Sequence, residues 1–103
     1  MKILISGKIT GLDFGQVVRK FLQAERALIC AGHDVINPVT IGRGLQGGGW
    51  HHGDYMHLTL AAVELCDAIY MLDDWEDSPG ARMEHDKAVA LGKRIIYEGE
   101  GPL

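Results

Sequence analysis

Glu84 is the side chain of this 103-residue sequence with the strongest claim on chemistry. It lies in line with Ala81, Ala88 and Leu91 at helical spacing, so a carboxylate shares the inward stripe of three apolar neighbours. Burial of that kind raises a carboxyl pKa, and the small residues Gly80 and Ala81 leave room for a ligand to approach. The competing reading is a surface Glu84 paired with Lys87, or a carboxylate in a structural network.

The acidic run Asp73, Asp74, Glu76 and Asp77 offers acceptors for sugar hydroxyls and a proton donor to a leaving group. It serves equally as solvated charge complementing the N-terminus of the next helix. Trp75, set among these acids, offers an aromatic face to a flat ligand or a cap to a sheet edge. Ser6 and Cys66 have no histidine partner at triad spacing.

His51, His52, Asp54 and His57 resemble metal ligands at first sight, but their spacing matches no His-Glu-x-x-His helix or other strong signature. They are read as solvated loop residues, and no metal is expected. Gly42-Arg43-Gly44-Leu45-Gln46-Gly47 formally fits G-x-G-x-x-G. It follows the second predicted strand instead of opening a helix after the first, so no dinucleotide cofactor is expected.

The elements that must position these residues alternate. Lys2 to Ser6 reads as a buried strand, and Asp13 caps a helix from Phe14 to Ala31 in which Val17, Phe21, Leu22, Ala24 and Leu28 recur near helical spacing. Gly32 stops it, and His33 to Ile36 forms a second strand closed by Asn37-Pro38. From Pro38 to Gly53 the chain is glycine-rich and aperiodic, and is expected to be a lid, a binding loop or disordered. A helix from Asp54 to Cys66 leads into a strand from Asp67 to Leu72, with Asp67 read as structural. Ser78-Pro79 is a cap followed by proline at the first helical position, Gly92 ends that helix, and Arg94 to Tyr97 is the last strand. The tail from Glu98 to Leu103 is expected to be loose.

This alternation predicts one α/β domain over residues 1–103, a three-layer sandwich with a parallel sheet of about four strands and helices on both faces. Ligands of such sheets bind beyond the carboxyl ends of the strands. That rule brings together Ser6 to Gly11, Asn37 to Val39 and Asp73 to Ser78.

Composition agrees: 47% hydrophobic and 23% charged residues are ordinary for a globular chain. A net charge of −4 gives no surface for tracking a nucleic-acid backbone, so a nucleic-acid partner is not expected. The opening apolar run is too short for a signal peptide and no stretch is long enough to span a membrane, which predicts a cytoplasmic protein with no membrane partner. Cys30 and Cys66 lack the number and spacing of a disulfide or zinc framework and are expected to be buried thiols.

Taken in order, several segments resemble a known family. They are Ile5-Ser6-Gly7-Lys8-Ile9-Thr10-Gly11, Asn37-Pro38, Asp54-Tyr55-Met56, Cys66-Asp67-Ala68-Ile69, Trp75, Ser78-x-Gly80-Ala81-x-x-Glu84 and Ala90-Leu91-Gly92-Lys93. The set resembles small phage and bacterial proteins of the nucleoside 2-deoxyribosyltransferase superfamily, which also holds deoxynucleoside-monophosphate N-glycosidases.

The resemblance implies a flavodoxin-like, Rossmann-like sheet, a homodimer or larger homo-oligomer, and a nucleoside or nucleoside 5′-monophosphate as the small-molecule partner. It implies a double displacement in which Glu84 attacks the sugar C1′, with water giving hydrolysis and a second base giving transfer. Asp73 and Asp74 are then the expected catalytic acids. Ser6, Gly7, Lys8, Ile9 and Gly11 are expected to cradle the sugar or its 5′-phosphate, with Ser78, Gly80 and Ala81 adding an anion site at a helix start. Asn37, Pro38, Asp54, Tyr55 and Trp75 complete the expected binding set.

The pattern departs in two places. Relatives carry a tyrosine on the first strand where this sequence has Leu4. They carry an aspartate that helps protonate the leaving base at or near the position of Thr59 or Leu60 here. Asp54, His57 or an acid between Asp73 and Asp77 takes over that task, or the protein is a nucleotide-binding or host-modulating module without turnover.

Overall fold

Three consecutive apolar residues, Ile3, Leu4 and Ile5, have no exposed surface, as a central parallel strand requires. They form the middle of β1 (Lys2–Ser6) in the computed structural model, which describes residues 1–100. Asp13 accepts a hydrogen bond from the Gln16 amide at 3.1 Å and starts α1 (Phe14–Cys30). The helix ends at Ala31, and Gly32 turns the chain with φ of 93°. β2 (Asp34–Ile36) returns beside β1.

The expected aperiodic stretch after β2 is partly helical, which corrects the sequence reading. Asn37 accepts from the Val39 amide at 3.0 Å, Pro38 occupies the first turn, and α2 (Pro38–Gly44) follows. Seven residues give too few turns for a hydrophobic period to register, and two glycines disguise them further. α3 (His52–Leu65) also begins earlier than predicted, because the Asp54 carboxylate reaches back to accept from the His51 amide at 2.9 Å.

β3 (Ala68–Met71) is buried throughout. A single 3₁₀ turn (Trp75–Asp77) separates it from α4 (Pro79–Ala90), where Ser78 accepts from the Ala81 amide at 3.1 Å. β4 (Arg94–Tyr97) closes the sheet. The predicted loose tail is tied at its start by the Glu98 amide, which donates to the Met71 carbonyl at 2.8 Å. The remainder of that expectation, residues 101–103, lies outside the described residues.

The strands run parallel in the order β2-β1-β3-β4, so the order reverses between β1 and β3. α1 covers one face, packing Val17, Phe21 and Leu28 on Ile3, Ile5 and Leu72. α3 and α4 cover the other, packing Val63, Ala81 and Ala88 on Leu4, Ile69 and Met71. The result is the expected three-layer α/β sandwich. Cys66 is buried as expected, whereas Cys30 is exposed because it sits on the outer side of the last turn of α1. Among the described residues no helix is long and apolar enough to cross a membrane.

Candidate active site

At the reversal point the carboxyl ends of β1 and β3 leave a crevice, as the topology demands. A cavity of about 430 Å³ opens there, within the usual size range of small-molecule sites. Gly7 to Thr10 form one wall, Ser78 to Ala81 another, and Glu84 lies at the bottom.

Glu84 is 5% exposed, the inward carboxylate that helical spacing predicted. Ser6, the last residue of β1, donates its hydroxyl to Glu84 Oε1 at 2.6 Å. The Thr59 hydroxyl, which donates to the Met56 carbonyl at 3.2 Å, also lies against the carboxylate from α3. Burial pushes the Glu84 pKa above the ordinary carboxyl value, and the two hydroxyls pull in the opposite direction without cancelling it. Tyr55 borders the same cavity; burial, and then the charge of Glu84, hold its phenol well above the ordinary tyrosine pKa. Tyr55 therefore faces the site as a neutral hydroxyl.

The first loop is held from behind. Asp74 accepts the Lys8 amide on Oδ1 at 3.0 Å, and its Oδ2 is ion-paired with Lys20 of α1. Lys20 also donates to the Lys8 carbonyl at 2.8 Å. Both oxygens of Asp74 thus hold the first loop and Lys20. Asp73 is exposed and its amide donates to the Glu98 carboxylate at 2.9 Å. Neither aspartate borders the cavity.

Of the expected binding residues, Gly7, Lys8, Ile9, Pro38, Tyr55, Ser78, Gly80 and Ala81 surround the cavity with Glu84. Ser6 stands behind Glu84 as its donor. Asn37 and Asp54 cap helices, and Gly11 supplies a turn with φ of 86°. Trp75 is turned away toward β4, stacked on His85 with ring centroids 4.3 Å apart and the rings 21° from parallel. His85 in turn shares a 2.9 Å hydrogen bond with the Tyr97 hydroxyl. The indole is packed within its own fold.

Thr10, His52, Met56, Asp77 and Pro79 border the cavity although the sequence reading did not select them individually. His52 was grouped with a rejected metal cluster and Asp77 with an undivided acidic run. Among the described residues no group of three or more His, Cys, Asp or Glu side chains is placed to hold a metal ion.

A domain family of unknown function, DUF4406, has a profile that matches residues 1–97. The chain belongs to this family. No curated protein matches the sequence. Among solved structures, a CMP N-glycosidase of Clostridium botulinum has a similar fold, with a TM-score of 0.65 at 20% identity over 97% of this chain and 72% of that one. For this DUF4406 member the likeness establishes the sandwich architecture; the chemistry rests on the residues around Glu84.

Proposed function

We propose that the protein cleaves, or transfers across, the N-glycosidic bond of a nucleoside or nucleoside 5′-monophosphate. The observation that carries this reading is a buried carboxylate, Glu84, that reaches a ligand-sized cavity while held by the Ser6 hydroxyl. The resemblance noted above supports it, as does the fold shared with a protein described as a CMP N-glycosidase.

In the first step a Glu84 oxygen bonds to C1′ as the bond from C1′ to the base nitrogen breaks, its electron pair leaving with the base. The base takes a proton from a titratable group bordering the cavity, His52, Tyr55 or Asp77. In the second step water attacks C1′, gives its proton to that same group, and releases Glu84 as a carboxylate. A second base in place of water gives transfer. Ionised Glu84 is the reactive form, and Ser6 favours it by donating to the charged oxygen.

The first loop and the start of α4 border the cavity where the sugar or a 5′-phosphate would lie, and the Lys8 side chain is the cation among them. The homodimer implied by the resemblance belongs to the same proposal. Leu65 on α3 and Met83 on α4, 71% and 51% exposed, are apolar side chains that such an assembly would cover.

Chromatographic detection of free base from a panel of nucleosides and 5′-monophosphates tests the reading, with base release expected from the wild type and lost in Glu84→Ala. The placement of Thr59, in place of an acid, beside Glu84 favours a second reading, nucleotide binding without turnover. Thermal stabilisation by nucleotides without base release would select it.

A further inference from the structure

The direction in which Glu84 points depends on the rotation of α4 about its own axis, and the inner face of that helix does little to fix it. Apart from Glu84, its buried residues are Ala81 and Ala88, and at Gly80 an added Cβ would already stand 3.2 Å from Met56 Sδ. Side chains this small let the helix lie close to its neighbours but leave little to interdigitate. The larger apolar residues of α4, Met83 and Val89, are exposed.

Two side chains flank Glu84 around the helix: at 3.6 residues per turn, His85 lies about 100° to one side and Lys87 about 60° to the other. Lys87 donates to the Glu64 carboxylate of α3 at 2.7 Å, but that carboxylate is exposed and the pair constrains weakly. His85 is enclosed, with 15% of its side chain exposed. Its ring is stacked on Trp75, its Nε2 is hydrogen-bonded to the Tyr97 hydroxyl, and the Trp75 and Tyr97 centroids are themselves 6.1 Å apart. Asp86 Oδ1, a carboxylate acceptor 3.2 Å from Nδ1, places a hydrogen on that nitrogen. Tyr97 can then donate to Nε2 of a neutral ring or accept from an imidazolium, so the bond survives either charge state. The three rings join α4 to β4 and to the 3₁₀ turn. In that turn the Trp75 carbonyl accepts the Ser78 amide at 3.1 Å, and Asp77 and Ser78 border the cavity. One stack thus relates the cavity wall to the helix that carries Glu84.

We propose that His85 is a positioning residue for Glu84: clasped between Trp75 and Tyr97, it sets the rotation of α4 that turns the carboxylate toward Ser6 and the cavity. His85 does not itself border the cavity. The kinetic part of its test rests on the N-glycosidase reading; the orientation of Glu84 is measured without turnover.

The first readout is the titration of Glu84 in the folded full chain, followed by NMR of its carboxyl carbon in protein labelled at glutamate. Burial is the larger influence on that carboxyl, so a Glu84 turned toward water titrates below the wild-type value. His85→Ala should show this downward shift and Tyr97→Phe a smaller one, whereas His85→Phe, which keeps a stacked ring, should stay closer to the wild type than His85→Ala. Circular dichroism verifies folding; if His85→Ala does not fold, Tyr97→Phe alone decides. The second readout is base release, in which His85→Ala should lose about tenfold in kcat with KM within about twofold. The proposal is overturned if Glu84 titrates as in the wild type in the folded variants, or if His85→Phe departs as far as His85→Ala. A shifted Glu84 titration in a chain whose wild type releases no base keeps the positioning role and removes the N-glycosidase. Base release by the wild type, with kcat and the Glu84 titration unchanged in His85→Ala, removes the positioning role and keeps the N-glycosidase.

Discussion

Ser6 donates its hydroxyl to Glu84 at 2.6 Å across 78 residues of sequence, joining the end of the first strand to the inner face of the last helix. The bond favours the ionised carboxylate against a burial penalty that still leaves its pKa raised. Removing the donor in Ser6→Ala therefore raises the Glu84 pKa further. The acid limb of the pH profile of kcat/KM should move to higher pH, with a loss of about tenfold on that limb. An unmoved limb would show that the hydroxyl does not tune Glu84.

The same burial makes ionised Glu84 a cost to folding. Because its folded pKa lies above that of the unfolded chain, the folded state holds the extra proton between the two values, and stability falls as pH rises through that window. Glu84→Gln keeps an acceptor for Ser6 but cannot ionise. Its Tm should exceed that of the wild type near neutral pH. The gain should vanish below about pH 4, where the carboxyl is protonated in both states. A gain independent of pH would contradict the assignment.

Asp74 and Lys20 clamp the first loop through the Lys8 backbone. Asp74→Ala should raise KM by about tenfold while changing kcat less, because it loosens the cradle and leaves Glu84 in place. Asp74→Asn should recover part of the loss, since its carbonyl still accepts the Lys8 amide. Equal effects of the two substitutions would argue against a positioning role.

Gly7 is required for packing between the strand ends. A Cβ there would stand 2.7 Å from Leu72 Cδ1 and 2.9 Å from Leu72 Cβ, in a side chain with no exposed surface. Gly7→Ala should cost about 1–3 kcal/mol in denaturant unfolding. Gly48→Ala, where nothing lies within 4 Å of the added carbon, serves as the contrast and should lie near wild type.

The sequence carried the sheet because β1 and β3 are apolar runs and α1 has a regular stripe, patterns that local residues alone display. Glu84 was legible for the same reason, as a carboxylate on a buried stripe. Asp74 and Trp75 were not, because their partners Lys20 and His85 come from other elements and no local spacing encodes those meetings. Asp77 and Asp74 are alike in type and separated by one 3₁₀ turn, yet that turn sends one to the cavity and the other to the loop clamp. α2 escaped notice because a side-chain cap and a proline define it more than any periodicity.

The nucleophilic role of Glu84 is tested most directly by trapping. A nucleotide bearing fluorine at the sugar 2′ position slows the second displacement more than it slows capture of a glycosyl ester, because it withdraws electrons from the oxocarbenium-like transition state. Intact-protein and peptide mass spectrometry should find the fluorinated sugar phosphate attached to the peptide that contains Glu84, and no adduct in Glu84→Gln. Base release by Glu84→Gln at the wild-type rate, or an adduct on another residue, would contradict the account.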